Sequence, residues 1–67
     1  GLFASGVNRI AQKVGEEAVE LIIEAKNSGA DAFKNEAADL LFHLLVLFSE
    51  KGVELKEVLY ILRSRAR

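Results

Sequence analysis

The chain has 67 residues and a formal net charge of -1, so residues 1–67 form a single domain without strong attraction for nucleic acid or membrane surfaces. It contains no cysteine, which excludes disulfides and thiolate metal sites. Hydrophobic residues make up 51% of the sequence, more than one small helical unit easily hides. We therefore expect an oligomer in which a second copy covers part of the apolar surface.

No targeting or membrane segment is visible in the sequence. The longest nearly apolar run, Leu40 to Phe48, is far shorter than the ~20 residues that a spanning helix needs. No signal peptide precedes it, so we expect a cytoplasmic protein. The first residue is Gly1 rather than methionine, which suggests a trimmed chain.

The first predicted element is a helix from Ser5 to Lys26, with Ser5 as its N-cap. Apolar residues at helical spacing define its packing face: Val7, Ile10, Ala11, Val14, Ala18, Leu21 and Ala25. A second apolar strip, Val19 and Ile23, lies almost opposite Val14. One strip should pack on the next helix and the other on a second protomer, as in a four-helix bundle.

Two further helices follow a polar break around Gly29. The second helix is predicted from Asp31, its N-cap, to Lys51, and it is apolar on nearly every side, which is typical of a central, buried helix. Gly52 ends it, and a third helix begins near Glu54 and runs to the end of the chain. The sequence thus predicts an all-α fold, an antiparallel helical hairpin plus a short third helix, dimerising into a four-helix-bundle-like core.

Each helix of the hairpin carries two carboxylates three residues apart, Glu17 with Glu20 and Glu36 with Asp39. Residues at this spacing share one helix face. In an antiparallel hairpin, positions equally far from the turn lie at the same height. Positions 17 and 39, and likewise 20 and 36, are centred on Ser28, inside the predicted turn. The hairpin should therefore bring all four carboxylates to one level.

Four carboxylates at one level suit a hard cation such as Mg²⁺, with Mn²⁺ as an alternative. From geometry alone a second interpretation stays open, because such pairs are commonly a solvated helix face. However, Glu36, Asp39 and His43 form the only polar stripe on the most apolar helix of the chain. Ionised groups in such surroundings are costly unless they are paired or bind a metal.

Other polar residues flank the predicted carboxylate level. His43 and Lys13 mirror each other one turn beyond it, where Lys13 suits a phosphate contact and His43 is either a substrate contact or a satisfied core histidine. Arg9 lies one turn beyond Lys13, and we expect it either to contact a phosphate or to be solvated. Glu16 is a candidate base beside the metal or a surface charge. Glu24 is expected to be solvated, since its mirror position is an alanine.

Two stretches carry these residues: 9–20, with the sequence RIAQKVGEEAVE, and 35–45, with the sequence NEAADLLFHLL. They resemble the two helix motifs of the phosphoribosyl-ATP pyrophosphatase family of histidine biosynthesis, one of the all-α, MazG-like nucleotide pyrophosphatases. Gly52 followed by Val53 to Arg63 is similar to the closing helix of that family. The resemblance covers nearly all of the chain.

The resemblance implies hydrolysis of phosphoribosyl-ATP to phosphoribosyl-AMP and pyrophosphate by a homodimer with sites near its interface. It implies a metal site formed by Glu17, Glu20, Glu36 and Asp39. We expect Glu16 or Glu17 to orient or deprotonate the attacking water. Arg9, Lys13 and His43 are the expected substrate-binding residues. Family members usually carry a further N-terminal segment with a Ser-Tyr-Thr motif before the Leu-Phe seen here as Leu2-Phe3, and the chain is expected to lack it.

Two alternatives remain at this stage. A house-cleaning NTP pyrophosphatase of the same superfamily would share the four carboxylates but not the QKVG run at residues 12–15. A non-catalytic helical dimerisation module would use the apolar strips alone, and metal would leave its melting temperature unchanged. The enzyme interpretation expects a small nucleotide as partner, with no nucleic acid and no membrane.

Overall fold

The computed structural model describes residues 2–27 and 29–66, and for residues 2–5 it describes the backbone alone. Three helices account for the regular structure in these residues: α1 at Leu2–Ala25, α2 at Ala30–Glu50 and α3 at Leu55–Arg65. The all-α prediction of a helical hairpin followed by a short third helix is confirmed. Dimerisation into a four-helix-bundle-like core stays a prediction.

The helix ends differ from the predicted ones by a few residues. Because α1 begins at Leu2, Ser5 lies inside the helix, and its prediction as the N-cap is wrong. The N-cap of α2 is Gly29 rather than Asp31, and Asp31 lies in the first turn, where its negative charge favours the helix N-terminus. Ser28, the predicted centre of the hairpin, lies outside the described residues.

Gly52 ends α2 in the left-handed conformation that the end of a helix commonly requires. Its φ angle is 67°, its amide donates to the oxygen of Ser49 at 3.0 Å, and the amide of Val53 donates to the oxygen of Phe48 at 2.8 Å. This pair of bonds is the Schellman motif, which satisfies carbonyl groups at the end of the helix. The predicted stop at Gly52 is confirmed.

Helix α3 begins just after Glu54, which is its N-cap. The amide of Glu54 donates to Oε2 of Glu57 at 2.6 Å, and the amide of Glu57 donates to the main-chain oxygen of Glu54 at 3.0 Å. Arg63 and Arg65 lie in the last turn, where positive charge favours the helix C-terminus. Local interactions therefore fix both ends of α3.

The antiparallel packing of α1 on α2 is the main tertiary contact among the described residues, and α3 packs on neither helix to a similar extent. The molecule measures 40 × 37 × 13 Å. Since a helix with its side chains is about 10–12 Å in diameter, the chain is one layer of helices thick.

The prediction that α2 is a central, buried helix is wrong for the single chain. No residue of α2 is buried, and among the residues with described side chains only Glu17 is buried, at 8% exposure. Many large apolar side chains are exposed, among them Val19, Ile22, Ile23, Phe33, Leu41, Phe42, Leu45, Leu55, Leu59, Tyr60, Ile61 and Leu62. Burial needs a second packed layer, and one layer of three helices cannot provide it.

No helix in the described part of the chain could span a membrane. None of the three helices combines the length and the low charge needed to cross a bilayer.

Candidate active site

Glu20 on α1 and Glu36 on α2 meet across the hairpin, as the mirror relation predicts. Contact with the Glu20 side chain raises the pKa of Glu36, because two carboxyl groups hydrogen-bond to each other only through a retained proton. Partial burial and the negative charges of Glu20, Asp39 and Glu24 raise the pKa of Glu36 further. Glu36 is therefore surrounded by carboxylates from both helices.

The structure corrects the expectation for Glu24. This residue is half-buried rather than solvated, and its charge adds to the field that raises the pKa of Glu36. The mirror position of Glu24 is Ala32, which offers no charged partner, but Glu36 lies one turn further along α2. A glutamate side chain is long enough for its charge to act at that distance.

Glu17 is buried against His43. The Nδ1 atom of His43 lies 2.7 Å from Oε1 of Glu17 and is within hydrogen-bond distance, 3.0 Å, of the main-chain oxygen of Asp39. Both neighbours are acceptors, so we place the ring proton on Nδ1, which donates it to the main-chain oxygen of Asp39, while Glu17 is a close charge contact without hydrogen-bond geometry. His43 was predicted either as a substrate contact or as a satisfied core histidine. The mirror relation placed it opposite Lys13 and did not predict its contact with Glu17 on α1.

Two buried carboxylate oxygens suit a cation. Oε2 of Glu36, and Oε1 of Glu17 despite its short distance to His43, are buried without a hydrogen-bond partner of adequate geometry. Buried anionic oxygens without a donor are costly, and a hard divalent ion would satisfy them. These two oxygens are of the type that Mg²⁺ or Mn²⁺ binds.

The full set of predicted ligands does not converge in this structure. Across the described residues, no group of three or more acidic or histidine side chains comes close enough together to hold a metal ion. Glu20 lies with Glu36, while Glu17 lies with His43. The assignment of Glu17, Glu20, Glu36 and Asp39 as four metal ligands stays a prediction.

A groove of about 600 Å³ opens beside the carboxylates, between α1 and the second half of α2. Its polar lining consists of Arg9, Gln12, Lys13, Glu16, His43 and Glu50. All three predicted substrate contacts and the candidate base Glu16 thus line one groove. The Nε2 atom of Gln12 donates to Oε2 of Glu16 at 3.2 Å, which orients that carboxylate.

Sequence reasoning missed two of the groove residues, Gln12 and Glu50. Gln12 lies within the motif run that carries Lys13, but no partner was predicted for it. Glu50 lies at the end of α2 and mirrors Gly6, a glycine at which a Cβ atom would meet no neighbour within 4 Å. The same mirror relation about position 28, extended about three turns beyond the carboxylates, would have placed Glu50 at the groove.

His43 joins the acidic cluster and the groove, because it contacts Glu17 and lines the groove. Arginine and lysine side chains bind phosphate oxygens through charge-assisted hydrogen bonds. Carboxylates bind the divalent cation that accompanies such phosphates. The arrangement is therefore suited to a phosphorylated ligand held with a metal ion.

The fold and this site define an all-α hairpin protein with an acidic cluster beside a polar groove that carries Arg9 and Lys13. The family model described as phosphoribosyl-ATP pyrophosphohydrolase matches residues 1–66. The chain belongs to the phosphoribosyl-ATP pyrophosphohydrolase family, and the resemblance seen in the sequence is confirmed.

Curated relatives agree with this family. The histidine biosynthesis bifunctional protein HisIE of Halalkalibacterium halodurans is 53% identical over 66 residues, which are 98% of this chain and 31% of that protein. The phosphoribosyl-ATP pyrophosphatase of Streptococcus sanguinis is 48% identical over 64 residues, covering 96% of this chain and 62% of that protein. The protein of the same name from Pyrobaculum arsenaticum is 47% identical over 66 residues, covering 98% of this chain and 70% of that protein.

The chain spans about a third of the bifunctional relative and roughly two thirds of the two single-function relatives. A comparison with solved structures gives no match.

Proposed function

We propose that this chain is the catalytic domain of an enzyme that hydrolyses phosphoribosyl-ATP to phosphoribosyl-AMP and pyrophosphate in histidine biosynthesis, with Mg²⁺ as its metal. The observation that carries the proposal is the position of His43, which contacts the buried carboxylate of Glu17 and lines the groove that holds Arg9 and Lys13. A substrate that binds both parts must carry phosphates together with a cation, as a nucleoside triphosphate does.

The acidic cluster is the proposed metal site. Glu17, Glu20, Glu36 and Asp39 would hold Mg²⁺, with Mn²⁺ as a substitute. The orphaned oxygens of Glu17 and Glu36 and the raised pKa of Glu36 support this assignment, because all three indicate unbalanced negative charge. When bound, the ion would supply positive charge to the triphosphate as the pyrophosphate leaves.

The groove residues have distinct proposed roles. Arg9 and Lys13 bind and orient phosphate oxygens, which is a task for cations that are exposed at the groove. Glu16 or Glu17 orients the attacking water and accepts its proton. Gln12 donates to Glu16 at 3.2 Å on the exposed face of α1, and this bond favours one direction of the carboxylate. The water oxygen forms a bond to one phosphorus atom, and the bond from that phosphorus to the bridging oxygen breaks. The bridging oxygen leaves as part of the other product.

The proposal includes a homodimer. The single layer of helices leaves Val19 at 57% and Ile23 at 53% exposure, on the strip for which the sequence predicts a second protomer. It also includes a cytoplasmic location, because a highly charged nucleotide does not cross a membrane freely.

The test is an assay of pyrophosphate release. Phosphoribosyl-ATP is compared with ATP and other nucleoside triphosphates, with and without Mg²⁺, both for this chain and for the full-length protein that contains it. We expect release from phosphoribosyl-ATP that depends on Mg²⁺. Faster turnover of ordinary triphosphates would favour a house-cleaning pyrophosphatase, and no turnover by the full-length protein would favour a dimerisation module.

A further inference from the structure

The imidazole of His43 lies between oxygen atoms of two different helices, and it hydrogen-bonds to the one on its own helix. Its Nδ1 atom lies 3.0 Å from the main-chain oxygen of Asp39, one turn before it on α2, and 2.7 Å from Oε1 of Glu17 on α1. The Asp39 contact belongs to the backbone of α2, so it fixes the ring relative to that helix. The ring in turn limits where the Glu17 carboxylate can lie.

We propose that His43 is a positioning residue, which fixes the carboxylate of Glu17 across the hairpin through Nδ1. This inference rests on the proposed function, in which Glu17 binds the metal or orients the water. It departs from the expected substrate contact of His43 and agrees better with the other interpretation, a histidine satisfied within the fold.

The burial of Glu17 explains why a positioning residue is needed. Glu17 is 8% exposed, so water does not hold its carboxylate, and a glutamate side chain has several rotamers to choose from. An imidazole at a fixed place on the facing helix, 2.7 Å from Oε1, limits which of them the carboxylate can adopt. The contact with Nδ1 gives Oε1 no donor of adequate geometry, so the positioned carboxylate is left for a water molecule or a cation.

The geometry also separates the two ring nitrogens. Nδ1 faces Glu17 and the backbone of α2, so Nε2, on the opposite edge of the ring, is the nitrogen left for the groove. A positioning role depends on Nδ1, whereas a substrate contact depends on Nε2. The two roles can therefore be distinguished by substitutions that preserve one nitrogen at a time.

Three variants of the full-length protein provide this test. In His43→Asn the side-chain amide nitrogen can take the place of Nδ1, in His43→Gln it can take the place of Nε2, and His43→Ala has neither. We measure kcat and KM for Mg²⁺-dependent pyrophosphate release from phosphoribosyl-ATP. We expect kcat within about fivefold of the parent for His43→Asn and at least about tenfold lower for the other two, with KM nearly unchanged in all three.

The reverse order would overturn the inference. If His43→Gln keeps its activity while His43→Asn loses it, or if KM rises in these variants at constant kcat, His43 binds substrate through Nε2 and does not position Glu17.

A second measurement needs no activity. We compare the thermal midpoints of the metal-free parent, Glu17→Ala, His43→Ala and the double variant, and we expect the shifts to be non-additive because the two side chains are in contact. The matched control pairs His43→Ala with Glu16→Ala, whose side chain contacts Gln12 and should give additive shifts. Additive shifts for Glu17 and His43 would overturn the inference. If phosphoribosyl-ATP is not hydrolysed, the proposed function fails, and this cycle still decides whether the two residues are coupled.

Discussion

Asp39 contributes two separate groups to the candidate site. Its main-chain oxygen lies 3.0 Å from Nδ1 of His43, and the charge of its side chain helps to raise the pKa of Glu36. The side chain itself is exposed. A substitution that neutralises the carboxylate therefore leaves the backbone contact in place, which makes Asp39 suitable for separating catalysis from stability.

We predict that Asp39→Asn lowers pyrophosphatase activity by orders of magnitude without destabilising the metal-free protein. The amide keeps the size and the hydrogen-bonding capacity of the carboxylate but is a poor ligand for Mg²⁺. One negative charge fewer beside Glu36 also relieves repulsion. Activity assays of the full-length protein and thermal melts of the metal-free form check the two parts of this prediction.

The matched control is Asp31→Asn on the same helix. Asp31 lies in the first turn of α2, away from the carboxylate cluster, and its loss should change stability by about 0.3–1 kcal/mol through the helix dipole alone. Glu24 is unsuitable as a control, because its charge acts on Glu36. An active Asp39→Asn enzyme with unchanged metal dependence would remove Asp39 from the site.

The elements of the hairpin were largely predictable from the sequence, because apolar spacing and glycine breaks determine where helices form. The mirror relation also predicted the meeting of Glu20 and Glu36. It missed the contact between Glu17 and His43, since it compared backbone heights only. Side chains tilt towards the N-terminus of their own helix. In this hairpin they tilt away from the turn on α1 and towards it on α2, so a residue of α2 contacts an α1 residue nearer the turn.

Two glycines should respond in opposite ways to substitution by alanine. Gly52 has a φ of 67°, so a Cβ atom there should destabilise the protein by about 1 kcal/mol. Gly15 lies within α1, and a Cβ atom there meets nothing within 4 Å in the chain, so Gly15→Ala should stabilise by about 1 kcal/mol. Thermal melts check both signs. Destabilisation by Gly15→Ala would indicate that another molecule approaches α1 closely at this position.

Repulsion between the helices of the hairpin should be measurable in the metal-free protein. We predict that Glu36→Gln raises the thermal midpoint without metal, because an amide can donate to Glu20 where two carboxylates repel. In the parent, Mg²⁺ at a hundredfold excess over its dissociation constant should add about 2.7 kcal/mol, and the variant should lose most of this gain.

The control for this prediction is Glu54→Gln, an exposed glutamate whose nearest cation is Lys56 at 3.8 Å. It should respond to Mg²⁺ as the parent does, since exposed ion pairs contribute little. If Mg²⁺ leaves the midpoint of the parent unchanged, the proposed metal site is wrong.

The single chain does not resemble a complete domain in its packing. It is 13 Å thick, and no apolar residue with a described side chain is buried. The sequence predicted a buried α2 because the apolar content of a helix reflects its burial in the assembled protein. The exposure of α2 in the single chain reflects only contacts within that chain. The same content gave the expectation of an oligomer. If a second copy of the chain forms the missing layer, it explains both the apolar α2 and the expected oligomer.

We predict that the protein is at least a dimer at micromolar concentration, in sedimentation experiments, and that Ile23→Lys breaks this dimer. Ile23 is 53% exposed on the strip it shares with Val19, and a lysine there would place a charge inside the proposed interface. Because dimer stability depends on protomer concentration, the thermal midpoint of the parent should rise with concentration, and that of Ile23→Lys should be lower and constant. Ile23→Val is the control, since it keeps an apolar side chain and should cost only about 0.5–1.5 kcal/mol. A parent that sediments as a monomer would exclude the second copy as the missing layer.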